Sequence, residues 1–397
     1  MRRLTLAVIL SSAVGTSLPY STLQPILPMV AARFGGGADG ERLAQFAVTA
    51  PAVGMLIGGL IAGWVLAAVG MRRLILFAIL AQGVLGVAGG FLDNPWAFLA
   101  SRLAVGTAAV LFGTACVTLL AELYEGDARA KAVGVLQGMA PFTAIPCIIA
   151  AGLLAERFGW RAPFSFFVIF ALPVFLVALF AIPPSTVAAP EAAQSTQRGG
   201  GLWRLWPYFL LVFGFSQLST MGIAQFPFLL KEDGVAGSGP QSLIIAGSSL
   251  TMGLGALLSG PLQARIGERR TLLSGVIVAG VGILIAGLSH EAAIGAAGGI
   301  LSYAGCGLLL TLNFTLVLNR AAAEVRGMAV GFILVAIFVS QFLNPLLIAP
   351  LRTAIGLHGA YVVVGLLAIA GPVLAMGVQG YRRRLITAPP AAGRLRI

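Results

Sequence analysis

Charge is what this chain has least of: only 10% of its 397 residues are Asp, Glu, Lys or Arg, while 58% are hydrophobic. A water-soluble globule of this length could not cover itself with so little polar surface, so a soluble protein is excluded. Acids are scarcer than bases, 13 against 25, and there are two histidines and three cysteines. Cys116, Cys147 and Cys306 fall inside apolar runs with neither disulfide-framework nor metal-ligand spacing. His290 and His358 fall in predicted connections. No Asp or Glu lies near the middle of an apolar run, which leaves no paired carboxylates or nucleophile–base pair for a membrane enzyme. Neither a cofactor nor a metal is expected.

What is present is a succession of twelve apolar runs between residues 4 and 380, each near the roughly 20 residues that span a hydrocarbon core as helix. The strict alternation of a membrane barrel is absent, so the spans are helices. The expected fold is an all-α integral membrane protein with twelve transmembrane helices in two pseudo-symmetric six-helix bundles. Its parts are an N-terminal bundle (1–183), a Pro/Ala/Gly/Ser-rich linker (184–204), a C-terminal bundle (205–381) and a basic tail (382–397). The first run follows Met1-Arg2-Arg3 without a convincing cleavage site and reads as a retained helix. The net charge of +12 does not point to nucleic acid, because it is distributed by loop. Arg72, Arg73, Arg129, Lys131, Arg269, Arg270 and Arg382–Arg384 share one side with both termini, whereas Arg33, Arg42, Arg157, Arg161, Lys231 and Arg352 fall on the other. That asymmetry places both termini in the cytoplasm, in the cell inner membrane, with membrane lipids as partners of the basic surplus.

The chain also repeats itself. Gly63-Trp-Val-Leu-Ala-Ala-Val-Gly70-Met-Arg72-Arg73 and Gly260-Pro-Leu-Gln-Ala-Arg-Ile-Gly267-Glu-Arg269-Arg270 carry one G-x6-G-x-R-R pattern half a chain apart. Arg129–Gly134 and Arg326–Gly331, Gly159-Trp160-Arg161 and Gly356-Leu357-His358, and Ser21-Thr22 and Ser219-Thr220 recur at nearly the same offset. A duplicated apolar chain of this kind points to a transporter with its site between the halves.

Together with the segment Leu18-Pro-Tyr-Ser-Thr-Leu-Gln-Pro25-Ile-Leu-Pro28, the stretch Phe98-Leu-Ala-Ser-Arg102-Leu-Ala-Val-Gly106 and Gly159-Trp160-Arg161, this organisation resembles the major facilitator superfamily, in particular its twelve-helix drug:proton antiporter branch. The resemblance implies a secondary active transporter that rocks two bundles about a mid-membrane cavity. Two departures stand out. The Asp that the family's loop pattern carries is replaced by Ala67 and Ala264, so the gate must be held differently, by the basic pairs on helix-end carbonyls or by Asp127 and Glu324 beside Arg129 and Arg326. The fifth-helix exporter pattern is eroded to Ile145-Pro146-Cys147.

Arg102, the one base set well inside a span, is expected to bind an anionic substrate group or assist proton transfer. The uncharged polar residues of the spans are candidates for substrate contact or helix bridging: Tyr20, Thr22, Gln24, Gln82, Gln137, Gln217, Gln225, Tyr303, Asn313, Gln341 and Asn344. Phe142, Phe226, Phe228 and Met252 alongside them suit an amphipathic organic substrate. Coupling candidates for a proton are Arg102, Glu122 and Asp93; gate candidates are Gly63, Gly70, Arg72, Arg73, Arg129, Gly260, Gly267, Arg269, Arg270 and Arg326. The expected function is proton-coupled efflux of a small amphipathic molecule by a monomer, with import of an anionic metabolite or metal chelate as the alternative.

Overall fold

The computed structural model describes residues 2–124, 128, 132, 135–136, 138–182, 203–322 and 325–387; no side-chain detail is given for residues 2, 327 and 373–387. Among them are eleven helical stretches long and apolar enough to cross a membrane, and no strands. The N-terminal half holds α1 (Arg2–Ser21), α2 (Leu27–Arg33), α3 (Gly37–Val69), α4 (Met71–Ala88), α5 (Pro95–Leu123), α6 (Ala140–Phe158) and α7 (Ser165–Ala181). The C-terminal half holds α8 (Trp206–Thr220), α9 (Phe226–Glu232), α10 (Ser238–Ile266), α11 (Glu268–Leu288), α12 (Ala292–Leu318) and α13 (Arg326–Thr387). Each half opens with a broken span. A 3₁₀ turn over Gln24–Ile26 separates α1 from α2, and a π turn over Met221–Gln225 separates α8 from α9. Pro25 lies in the 3₁₀ turn, and Pro28 and Pro227 stand in the first turns of the second pieces, removing ladder donors where the path bends.

The eleventh and twelfth spans follow one another directly. α13 runs from Arg326 to Thr387 and contains spans eleven and twelve, which meet at Gly356 (φ 76, ψ 175). This non-helical glycine ends the first span and reverses the path without a longer loop, so the two spans are separate helices on either side of it. The helix continues through 382–387, where a basic tail was expected, and 388–397 lie outside the described residues, as does the linker through residue 202.

The duplicated motif has a backbone reason. Gly70 and Gly267 take φ 79 and 85 between α3 and α4 and between α10 and α11, a conformation that costs a side chain about 1–2 kcal/mol. Glycine also sets helix spacing. In the N-terminal half a Cβ at Gly54 would strike the Leu103 carbonyl and one at Gly106 the Pro51 carbonyl; in the C-terminal half Gly255 meets the Ala304 carbonyl and Gly307 the Met252 carbonyl. The same two-way backbone contact thus holds α3 to α5 and α10 to α12. Gly307→Val is expected to lower stability by about 1–3 kcal/mol or more through overpacking, read as a fall in melting temperature in detergent.

Candidate functional site

Chain alternation puts the turns at Gly36, Gly159, Gly237 and Gly356 at the end of the bundle opposite the termini; it is called distal below, and the end with Gly70 and Gly267 proximal. Cross-half hydrogen bonds cluster between the centre and the distal end. Gln45 on α3 and Gln225 on the π turn exchange amide hydrogen bonds at 3.0 and 3.3 Å. Gln225 Nε2 also reaches Asn344 Oδ1 (3.4 Å), Asn344 Nδ2 donates to Gln217 Oε1 (2.9 Å), and Gln217 Nε2 donates to the Ser340 carbonyl (2.9 Å). Tyr20 donates its hydroxyl to Gln341 Oε1 (3.1 Å). Gln24 Nε2 donates to the Gly222 carbonyl (3.1 Å) and to the Tyr303 hydroxyl (3.2 Å). The π turn matters here, since it shifts the ladder register and frees the Gly222 carbonyl for Gln24. Phe46 packs on Phe342 across the halves (5.8 Å) and Phe142 lies against Gly253. The centre is therefore a belt of amides and phenols between aromatic walls.

A charged lock adjoins that belt. Arg352 on α13 pairs with Glu41 on α3, lies 3.5 Å from Glu232 and extends Nη1 to Gln225 Oε1 at 3.5 Å. Its side chain is 17% exposed and that of Glu41 25%, so the pair is shielded enough for its loss to matter. Close by, Ser238 Oγ donates to the Gly152 carbonyl at 2.8 Å, and the Glu156 carboxylate lies against Gly237 and Gly239 at the N-terminus of α10, where a helix favours an anion. The distal end is closed by these contacts.

Proximal groups bond within their own half. Arg72 donates to the Leu179 carbonyl in the last turn of α7 (2.8 Å). Arg320 pairs with Glu268 (2.7 Å), which also accepts from Asn319. Arg73, Arg269, Arg270 and Arg326 are exposed, Gly63 and Gly260 face open space, and Arg129, Asp127 and Glu324 lie outside the described residues.

Several candidates sit elsewhere than the centre. Arg102 is wholly buried inside the N-terminal bundle. Its Nη2 donates to the carbonyls of Leu85 (3.2 Å) and Gly86 (3.0 Å), its Nε to Ser101 (3.3 Å), and its guanidinium lies over Phe164, Phe167 and Phe98 at 4.9, 5.5 and 5.6 Å. Every one of these partners belongs to its own half. Gln82 is buried and ties α4 to α1 through the Gly15 carbonyl (2.5 Å). Thr22 bonds back to Leu18 (2.7 Å). Asn313 is buried with Oδ1 unpartnered, and Gln137 lies outside the described residues. Asp93 bridges Arg33 (2.6 Å) and Arg161 (2.9 Å) on the distal surface, and Glu122 is exposed at the proximal end of α5. Sequence reasoning missed Gln45, Glu41, Glu232 and Arg352, which read as helix-end charges and an ordinary amide. The available signal was Glu41 standing one turn from Gln45 on one helix face.

The sequence profile of the Major Facilitator Superfamily matches residues 9–240 and 209–394. The chain belongs to that superfamily. A major facilitator protein of this kind is a secondary transporter, multi-pass in the membrane. Among curated proteins it is similar to the cis,cis-muconate transport protein of Acinetobacter baylyi, 26% identical over 241 residues, or 56% of this chain and 58% of that protein. The match thus spans little more than half of the relative's length. Among solved structures it resembles a D-xylose–proton symporter (TM-score 0.74, 15% identity, 93% of this chain and 96% of that one). It also resembles the inward-open xylose transporter XylE from E. coli (TM-score 0.71, 14% identity, 98% and 97% covered). At such identity the solved structures speak to fold alone, and the drug-antiporter branch suggested by the first-helix pattern is not among these relatives.

Proposed function

We propose that this transporter carries a small, uncharged amphipathic organic molecule by alternating access, with protons as coupling ion, export as net direction and its termini in the cytoplasm. The observation that carries the reading is the centre itself: Gln24, Gln45 and Tyr20 of the first half bond across to the Gly222 carbonyl, Gln225 and Gln341 of the second, and Gln217 and Asn344 extend that belt within the second half. Amides can exchange partners with hydroxyls and carbonyls of a neutral guest at little net cost, and the aromatic walls supply apolar contact. A dianion would need a cation, and Arg352 is committed to Glu41 and Glu232, and Arg102 to the carbonyls of α4. The same lock supports proton coupling. Opening the distal end separates Arg352 from Glu41, and two carboxylates that have lost their cation favour taking up a proton. This shifts the coupling role from Asp93 and Glu122 to Glu41 and Glu232. The Leu18–Pro28 pattern supports export.

Transport in everted vesicles under an imposed pH gradient tests the reading, using neutral aromatic amphiphiles, cis,cis-muconate and xylose as a panel. Neutral amphiphiles should accumulate and collapse of the gradient should stop them; accumulation of muconate instead would overturn the uncharged-substrate reading. Gln225→Ala and Asn344→Ala each remove a hydrogen-bonding amide from the belt, worth about 1–3 kcal/mol. Each is expected to slow transport about tenfold at unchanged protein level.

A further inference from the structure

Asp233, His290 and His358 come together at the distal end of the C-terminal half from three separate segments. Asp233 caps α9 and His290 lies in the turn between α11 and α12, while His358 stands just past the Gly356 bend of α13. One ligand atom from each lies within 4.8 Å of the others. The Asp233 side chain is fully buried, with Oδ1 3.1 Å from His358 Nε2, yet neither carboxylate oxygen nor that nitrogen has an aligned hydrogen-bond partner. The other ring nitrogen of His358 faces the Gly287 carbonyl at 3.3 Å. A carbonyl only accepts, so Nδ1 carries a proton, and Nε2 of a neutral ring then turns its lone pair toward a carboxylate. Two acceptors in contact need a positive charge between them. The His290 ring, centroid 4.2 Å from that of His358, adds a second imidazole, so that a metal ion placed there would find a third ligand.

We propose that Asp233, His290 and His358 form a binding site for a divalent transition metal of the zinc class. Ligands about 2.0–2.2 Å from a tetrahedral ion are about 3.3–3.6 Å apart, a few tenths of an ångström beyond the 3.1 Å between Asp233 and His358. The Nδ1–H to carbonyl contact is the outer-sphere bond that orients a metal-bound histidine. Imidazole and carboxylate together suit zinc or a neighbouring divalent ion rather than calcium or magnesium. His290 is exposed, leaving an entry path and a fourth position for water. Metal affinity should fall as pH falls and the ligands take up protons. Because Asp233 follows Glu232, a partner of Arg352, an ion here would tie α9 and the second half of α13 together beside the distal lock.

The test uses the purified full chain in detergent with any affinity tag removed, stripped by chelator and titrated with Co²⁺. One equivalent should bind with a tetrahedral d–d absorption band, Zn²⁺ should displace it, and Asp233→Asn and His290→Ala should each weaken binding at least tenfold. His290→Ala alters an exposed side chain and so keeps the fold. Absence of stoichiometric binding by the wild type would mean that a proton holds the cluster, and equal binding by both variants would put the ion elsewhere; either result overturns the site.

Discussion

Arg352→Ala is expected to unlock the distal end and reduce transport more than tenfold. The substitution removes the cation that Glu41 and Glu232 share and the donor that Arg352 presents to Gln225. Truncating one partner of a shielded ion pair costs about 3 kcal/mol or more, because the other charge is left behind. If that cost falls on the distally closed state alone, the equilibrium between closed and open arrangements moves by roughly a hundredfold. Two carboxylates left without their cation also favour protonation of one, so the variant should lose much of its dependence on a pH gradient. Glu41→Gln is the milder version, since the amide can still accept from Arg352. Transport driven by a pH gradient, compared with exchange in its absence, reads both effects.

Arg102→Ala is expected to unfold the N-terminal bundle rather than only silence it. A cation with no exposure carries a desolvation penalty of several kcal/mol. Here it is offset by charged hydrogen bonds of about 1.5–3 kcal/mol each to the Leu85 and Gly86 carbonyls and by ring faces worth about 2 kcal/mol when desolvated. Truncation leaves both carbonyls short of a donor and a cavity between α4, α5 and α7, which together should cost about 3–5 kcal/mol. Lysine cannot fork between two carbonyls while lying flat on Phe164, so Arg102→Lys should recover little. The measurement is thermal melting of purified protein. A variant that melts with the wild type yet transports nothing would restore a direct role for Arg102 in transport.

The contrast between these two arginines shows what the sequence made legible. Arg102 announced itself because a base within an apolar run is rare, but its destination depended on Phe164 and Phe167, which reach it from another helix. Arg352 stood at a span end, where a basic residue is the ordinary expectation, and its partner Glu41 lies 311 residues away. Pattern at short range was readable for physical reasons. Gly70 and Gly267 had to be glycine for their positive-φ turns, and the length of the apolar runs marked the helices. The twelve spans were legible too, the last two meeting at Gly356, a single non-helical glycine like Gly70 and Gly267. The amide belt was visible as a set of residue types, but which of its members pair was not, because Gln45–Gln225 and Tyr20–Gln341 join opposite halves.

The central claim is that the two halves rock about the amide belt, with the Arg352 lock holding the distal end shut. Spin labels at the exposed positions Arg42→Cys and Thr353→Cys report the distal gap, and labels at Arg73→Cys and Arg270→Cys report the proximal one, in a background with Cys116, Cys147 and Cys306 replaced. Pulsed electron–electron distance measurement should find the distal pair lengthened and the proximal pair shortened when Arg352→Ala is introduced. Distances that do not change in either pair would contradict it.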